Sequence, residues 1–294
     1  MVGAAYLEQR GVLRVGGADA RPFLQGLISN DVTKVTPSRA IYAALLTAQG
    51  RFLHDFFIAQ HGDDLLIEVA RARRDDLRKR LALYRLRSKV TIEPADELAV
   101  AVLWPEVALA SLGLPAEPGT ATARAGGIVY VDPRLAPLGA RALVPRDRLD
   151  EALAGFTSAP LADYDRHRRR LGVPESGDDL VIEKSILLEN GIDELNGVDW
   201  QKGCYVGQEL TARTKYRALI KKRLLPVAIE GPLPAPGTPV MLGAREAGEM
   251  RSAADGIGLA LLRLEMLDEA ALEGAALHAG AARLTVQRPD WMKF

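Results

Sequence analysis

The chain has 294 residues, 48% of them hydrophobic and 26% charged, a globular mix that excludes disorder and collagen-like repetition. Its 38 basic residues balance 38 acidic ones, so overall charge does not point to a general nucleic-acid or membrane-surface protein. The one cysteine, Cys204, excludes an intrachain disulfide framework and a zinc ribbon. Length predicts roughly two domains. No apolar run approaches the roughly eighteen residues that span a bilayer. The N-terminal MVGAAYLEQR has Glu8 early and no basic stretch ahead of an apolar one, which does not read as a signal peptide. Together these features predict a reducing, cytoplasmic setting.

Along the chain, Gly11–Gly16 alternates as a short strand, and Asp19 caps a helix over 20–28 with Phe23, Leu24 and Leu27 on one face. IYAALLT, FLHDFFIAQ and DLLIEVA then read as strands joined by turns at Gln49–Arg51 and His61–Asp64, the chemistry of antiparallel hairpins. Residues 71–87 are helical, with Leu77, Leu81 and Tyr84 in register, and 88–93 return as a strand. A weaker second round follows, with strands at 98–103, 128–131 and 141–144 and helices at 106–112 and 146–155. Two strand-rich units with helices predict an α+β fold on antiparallel sheet. The Pro/Gly-rich Gly231–Pro239 marks a boundary, beyond which short strands with glycine turns predict an all-β module of about seventy residues.

Chemistry concentrates in Trp200–Glu209. Gly203 and Gly207 flank Cys204 and allow close approach or positive φ, Lys202 carries a charge able to stabilise a thiolate, and Tyr205 offers a flat face with a polar tip. On residue chemistry alone, a lone cysteine is more often a small buried hydrophobe, and that reading leads. Arg213–Arg217 alternates as a basic strand with Arg213, Lys215 and Arg217 on one face, either a polyanion-binding face or an ordinary solvated edge. The basic clusters at 71–80 and 166–170 read as solvated helix faces. His54, His61, His167 and His278 lack metal-ligand spacing. No phosphate loop, nucleophile elbow or dinucleotide fingerprint is present.

KGCYVGQE at 202–209, continued by LTAR to Arg213, resembles the signature of the YgfZ family of folate-binding proteins, which acts in iron–sulfur cluster assembly and repair. FLQGLISNDV (23–32), LLTAQGRFLHDFFI (45–58), YRLRSKV (84–90) and RRLGVPE (169–175) are similar to family segments in the same order. Ala218 and Leu187 stand where many members carry glycine and proline. The wider superfamily includes the glycine cleavage T-protein, a tetrahydrofolate-dependent aminomethyltransferase. That likeness implies a three-domain ring with antiparallel sheets and a C-terminal β-barrel: a split folate-binding domain (1–40 plus 160–222), an inserted α+β domain (41–159) and the barrel (223–294).

The resemblance also implies tetrahydrofolate or a derivative as cofactor. Glu189, in ILLENG, matches the glutamate that binds the pterin, and Tyr42 matches a residue lining the folate site. Asn30, Asp31, Arg51 and His54 complete the expected folate set. His54 stands where the T-protein has its catalytic aspartate, leaving only Asp55 of two adjacent acids, which weakens the transferase reading. The motif residues Lys202, Gly203, Cys204, Tyr205, Gly207, Gln208, Glu209 and Arg213 form the second expected site, with Lys202 lowering the thiol pKa. Clusters usually take four thiolates and this chain has one, so no metal is enclosed in cis; the resemblance leaves Cys204 either as one ligand to a cluster shared with a partner or another subunit, or as a redox thiol acting on an acceptor protein. Expected partners are folate and iron–sulfur assembly or client proteins, with no membrane, nucleic acid disfavoured, and a monomer or weak homodimer. A one-carbon transferase and an RNA-contacting module tied to tRNA modification are the alternatives.

Overall fold

The structure, a computed structural model, describes residues 2–217 and 220–294; Ala218 lies outside them. Two compact units emerge. The first comprises the chain up to Ala48, Leu53–Tyr164 and Leu195–Gln208; the second comprises Gln49–Phe52, Asp165–Glu194 and Glu209–Phe294.

Strands β1 (Gly3–Tyr6) and β2 (Arg10–Gly16) precede α1 (Ala20–Gln25), and β3 (Ile41–Leu46), β4 (Phe52–His61) and β5 (Asp64–Ala70) follow as expected from their apolar runs. Helix α2 (Arg74–Arg85) leads to β6 (Thr91–Pro94) and β7 (Leu98–Trp104). Then come α3 (Ala108–Ser111), β8 (Ala121–Arg124), β9 (Gly127–Val131), β10 (Ala140–Pro145), α4 (Leu149–Ala152), β11 (Thr157–Ser158) and α5 (Leu161–Arg170). The first unit holds a five-stranded sheet, order β3-β4-β5-β2-β6, and a six-stranded sheet, order β11-β1-β7-β10-β9-β8. The five-stranded sheet draws strands from both sides of position 40, because β2 pairs antiparallel with β5.

Each sheet buries one face under its own helices. Leu24, Leu77 and Leu81 from α1 and α2 pack with Phe56, Ile58 and Ile67, and Ala108, Leu109 and Ala152 from α3 and α4 pack with Leu103, Val129 and Val144. Strand alternation sends the intervening residues the other way. There Glu68 accepts hydrogen bonds from Arg10 Nε (2.9 Å), Arg141 Nε (3.0 Å) and Tyr130 Oη (2.8 Å), while Phe57 lies under the Arg141, Arg134 and Arg10 guanidiniums at 4.2, 4.9 and 5.6 Å. Burial alone would raise the Glu68 pKa, but Arg141 and Arg10 hold it at about 2. Removing one member of such a buried network leaves an uncompensated charge, at a cost of about 3–5 kcal/mol.

In the second unit, α6 (Gln208–Tyr216) opens at the unit's edge and is followed by β12 (Lys222–Glu230), β13 (Pro239–Leu242), β14 (Arg245–Ala254), β15 (Ile257–Arg263), α7 (Leu264–Glu273), β16 (Leu277–Ala279) and β17 (Ala282–Val286). The six strands close as β12-β15-β14-β13-β16-β17. Three readings change here. Gly231–Pro239 is a connection inside the barrel, because β12 already pairs with β15 and β17. The module is not all-β: α7 buries Met266 and Ala270, four apart, and stops at Gly274 with φ +62°. Arg213–Arg217 is not a strand: Arg213 to Tyr216 close α6 and Arg217 lies just beyond it, and Thr211 and Thr214 are the helix's buried residues. Glu209 in its first turn and Arg213 and Lys215 in its last complement the helix dipole, a pattern that a period-two reading misses.

Candidate functional site

Residues 195–208 have little regular structure, so their polar backbone must find partners elsewhere. They find them on the turn after α1 and at the start of β3. Ser29 Oγ donates to Gly197 O (2.6 Å) and accepts from the Ala44 N–H (2.8 Å). Asn30 Nδ2 donates to Tyr42 O (2.7 Å) and Asn196 O (2.8 Å). The Asp199 N–H donates to Ser29 O (3.0 Å), and the Val206 N–H to Gly26 O (3.3 Å). Asp199 Oδ1 caps the turn by accepting from the N–H groups of Gln201 (2.6 Å) and Lys202 (2.9 Å), while its other oxygen pairs with Lys34. Burial would raise the Asp199 pKa, but these bonds bring it below the usual carboxylate value.

Lys202 is the centre of this staple. Its buried Nζ donates to Gln25 O (2.8 Å), Ile28 O (2.6 Å) and Asn30 O (2.9 Å), so its three donors meet three carbonyls. The same Nζ lies 5.1 Å from the centroid of the buried Tyr205 ring. Burial pulls its pKa down to about 8, against Asp31 and Asp199. The expectation that Lys202 serves the thiol is therefore corrected: the ammonium faces inward to the α1 turn and pins the loop. The chain bends at Gln201 and Lys202 instead of running on as a strand, so a spacing of two did not place charge beside sulfur.

Cys204 is free and exposed, which overturns the buried-hydrophobe reading. A Cβ built on exposed Gly203 meets nothing within 4 Å, so the approach beside the thiol is open. Gly207 adopts φ +81°, a value that favours glycine, where the chain turns into α6. Gln208 Oε1 accepts from the Tyr205 N–H (3.2 Å), fixing that turn, while Glu209 and Arg213 are exposed on the helix. The motif thus divides into inward residues that anchor (Lys202, Tyr205, Gly207) and outward ones that display (Gly203, Cys204).

The expected folate residues are drawn from both units. Tyr42 is buried, donates to Asp55 Oδ2 (2.8 Å), and with Asn30, Lys34, Arg39, Asn196 and Pro133 lines a cavity of about 410 Å³ in the first unit. The Asn30 amide is engaged by the two carbonyls above. Asp31 accepts from Thr33 and Gln25, which lower its pKa despite burial. His54 is corrected outright. It alternates with Asp55 along β4, so it points to the helix-covered face, where its Nε2 lies 2.9 Å from Asp76 Oδ2 on α2. Burial lowers its pKa to about 4, with Arg73 adding to the effect. It is a neutral packing residue, and Asp55 alone remains on the Tyr42 side.

Glu189 and Arg51 belong to the second unit. With Lys184, Lys222, Glu249 and Arg251 they line a cleft of about 460 Å³. Arg51 Nη1 donates to Lys184 O (3.0 Å), and Arg251 pairs with Glu249 (2.8 Å). Glu189 has no hydrogen bond or ion pair among the described residues, and burial raises its pKa against the pull of Lys222, Arg51 and Arg251. Residues that sequence reasoning passed over, Ser29, Lys34 and Asp199, hold the cysteine loop. Ser29 stands in the similar segment FLQGLISNDV, whereas Lys34 lies two residues beyond it and Asp199 three residues before KGCYVGQE, where no pattern marked them.

Residues 221–294 match the model of the CAF17 C-terminal beta-barrel domain. The human mitochondrial iron–sulfur cluster assembly factor IBA57 is 37% identical over 98% of this chain and 86% of its own length. The chain belongs to the IBA57 family. The mouse IBA57 protein is 36% identical over 97% of this chain and 84% of its own length. In fold, the chain is similar to the glycine cleavage system aminomethyltransferase T of Bartonella henselae, with a TM-score of 0.77 over 99% of this chain and 86% of that one at 14% identity. Two expectations change. The family is the IBA57 branch, a relative of the YgfZ family that the eight-residue motif suggested. The cytoplasmic placement is overturned, since these IBA57 relatives are mitochondrial proteins. A soluble composition and a lone thiol suit any reducing compartment, so composition could not choose among them.

Proposed function

We propose that the chain is an iron–sulfur cluster assembly factor whose Cys204 is one thiolate ligand to a cluster shared with a partner protein. The observation that carries this reading is the exposed thiol on a loop that is otherwise anchored residue by residue. Such a loop presents sulfur without reorganising, and the absence of a side chain at Gly203 leaves room for a second protein's ligands. The substrate is the cluster; with one cysteine, the chain supplies a minority of its ligands. The test is maturation of a cluster-dependent enzyme in cells lacking the chain. Wild type restores it, C204A does not, and full restoration by C204A removes the thiol from the reading.

Tetrahydrofolate, or a derivative, belongs to the same proposal through the second unit. The half-buried Glu189 carboxylate suits the aminopyrimidine edge of a pterin, which offers two N–H donors, and Arg51, Lys222 and Arg251 suit the carboxylates of its glutamate tail. Calorimetric titration with tetrahydrofolate tests this, with E189A expected to weaken binding by about 1–3 kcal/mol. No saturable binding to wild type rejects it. An aminomethyl-transfer role is not favoured, because His54 lies behind the sheet and Asp55 is held by Tyr42.

A further inference from the structure

The end of α2 carries a second exposed feature. Between Asp76 and Glu93 the chain has six basic residues, Arg78, Lys79, Arg80, Arg85, Arg87 and Lys89, and no acid. Within this stretch all side chains from 82 to 87 are exposed, including Leu83 at 77%, Tyr84 at 46% and Leu86 at 89%. Leu86 ends the helix at φ +42° and ψ −109°, a positive-φ conformation that a branched, bulky residue adopts only under strain. A leucine held at positive φ and left in water has no role in folding that the structure reveals. Strain of this kind persists where it serves a contact. Arg85, Arg87 and Lys89 have no ion pair among the described residues; the nearby acid is Asp19, whose carboxylate accepts from the Lys89 N–H (2.7 Å).

Asp19 precedes α1, and the other end of α1 is the turn that grips Lys202 through Gln25 O and Val206 through Gly26 O. A six-residue helix is about 9 Å long. One short helix therefore ties the leucine knob at one end to the cysteine loop at the other, within one compact unit.

We propose that Leu83 and Leu86, rimmed by Arg85, Arg87 and Lys89, form a docking knob for the protein that shares the cluster at Cys204, and that this partner offers an apolar hollow edged with Asp and Glu. The inference rests on the cluster-sharing reading of Cys204. Charge complementarity sets the partner's sign, since the rim is basic and uncompensated. The apolar centre favours protein over RNA, to whose phosphates two leucines offer nothing. The α1 connection makes the knob continuous with the site of exchange, which a membrane contact would not require.

The test places the photo-crosslinker p-benzoylphenylalanine at position 83 and, separately, at exposed position 201 in the full-length chain in cells. Both positions are expected to trap the same iron–sulfur protein, with an acidic peptide at the position-83 crosslink. R85E/R87E and, in another chain, L86G are expected to lower the position-201 crosslink at least about fivefold. L86G is also expected to keep or raise the melting temperature, which separates lost docking from lost folding. Trapping of nothing, of RNA, or of a different protein at position 83 overturns the knob. So does flotation of the purified chain with vesicles containing phosphatidylglycerol that is lost in L83S. If position 201 traps a cluster protein and C204A is inactive while L86G keeps full crosslinking, the knob fails and the thiol reading stands. If C204A is fully active, the thiol reading fails first.

Discussion

Replacing Lys202 with methionine isolates the staple. The substitution keeps much of the stem but removes the charge, leaving Gln25 O, Ile28 O and Asn30 O without their donor. An unsatisfied buried carbonyl costs about 1–3 kcal/mol, and partial opening of the loop to water argues for the low end, so three give about 3 kcal/mol. At roughly 2–4 °C per kcal/mol, K202M should melt about 6–12 °C below wild type. The companion assay is alkylation of Cys204 as a function of pH. Because the ammonium faces the carbonyls, the alkylation profile of K202M should keep the wild-type midpoint even as stability falls. A midpoint displaced upward by a unit, with melting within 1–2 °C of wild type, would refute the staple and return Lys202 to the thiol.

Other outcomes follow from the same geometry. C204A should leave stability within about 0.5 kcal/mol of wild type, because the side chain is exposed, and this is checked by urea denaturation beside the maturation assay. His54 protonates near pH 4 in the folded chain but near 6.5 when unfolded, so stability is lost as pH falls through that window. By pH 5 the loss is about 2 kcal/mol, and H54Q should flatten the urea midpoint between pH 7 and 5; an unchanged slope would show that His54 does not carry it. Glu189 has the opposite sign: its folded pKa is raised, so the contribution is present at low pH and lost as pH rises through that value. E189Q should therefore stabilise the chain at neutral pH in thermal melts while weakening tetrahydrofolate binding. If E189Q binds tetrahydrofolate as tightly as wild type, the cleft is not a pterin site.

Much of the first unit was legible because β3, β4 and β5 are apolar runs separated by turn residues, and α2 repeats Leu77 and Leu81 at helical spacing. The end of α6 was misread because R-T-K-Y-R satisfies period two as well as a helix whose buried residues are threonines. Helix α7 escaped because its buried side consists of Met266 and Ala270, a weak stripe beside four acids. The Gly231–Pro239 stretch looked like a linker because proline and glycine mark any irregular connection, including one that lies within a barrel.

By itself, the sequence determined the antiparallel sheet elements, the single thiol and the position of the motif that carries it. These are properties of composition, local periodicity and contiguous residues. Tertiary structure alone decided direction: that Lys202 turns to three carbonyls from residues more than 170 positions earlier, that Cys204 faces outward, and that His54 and Asp55 part to opposite faces of β4. Side-chain direction depends on which backbone groups lack partners after folding, and those groups are brought together only by the chain's long-range pairing.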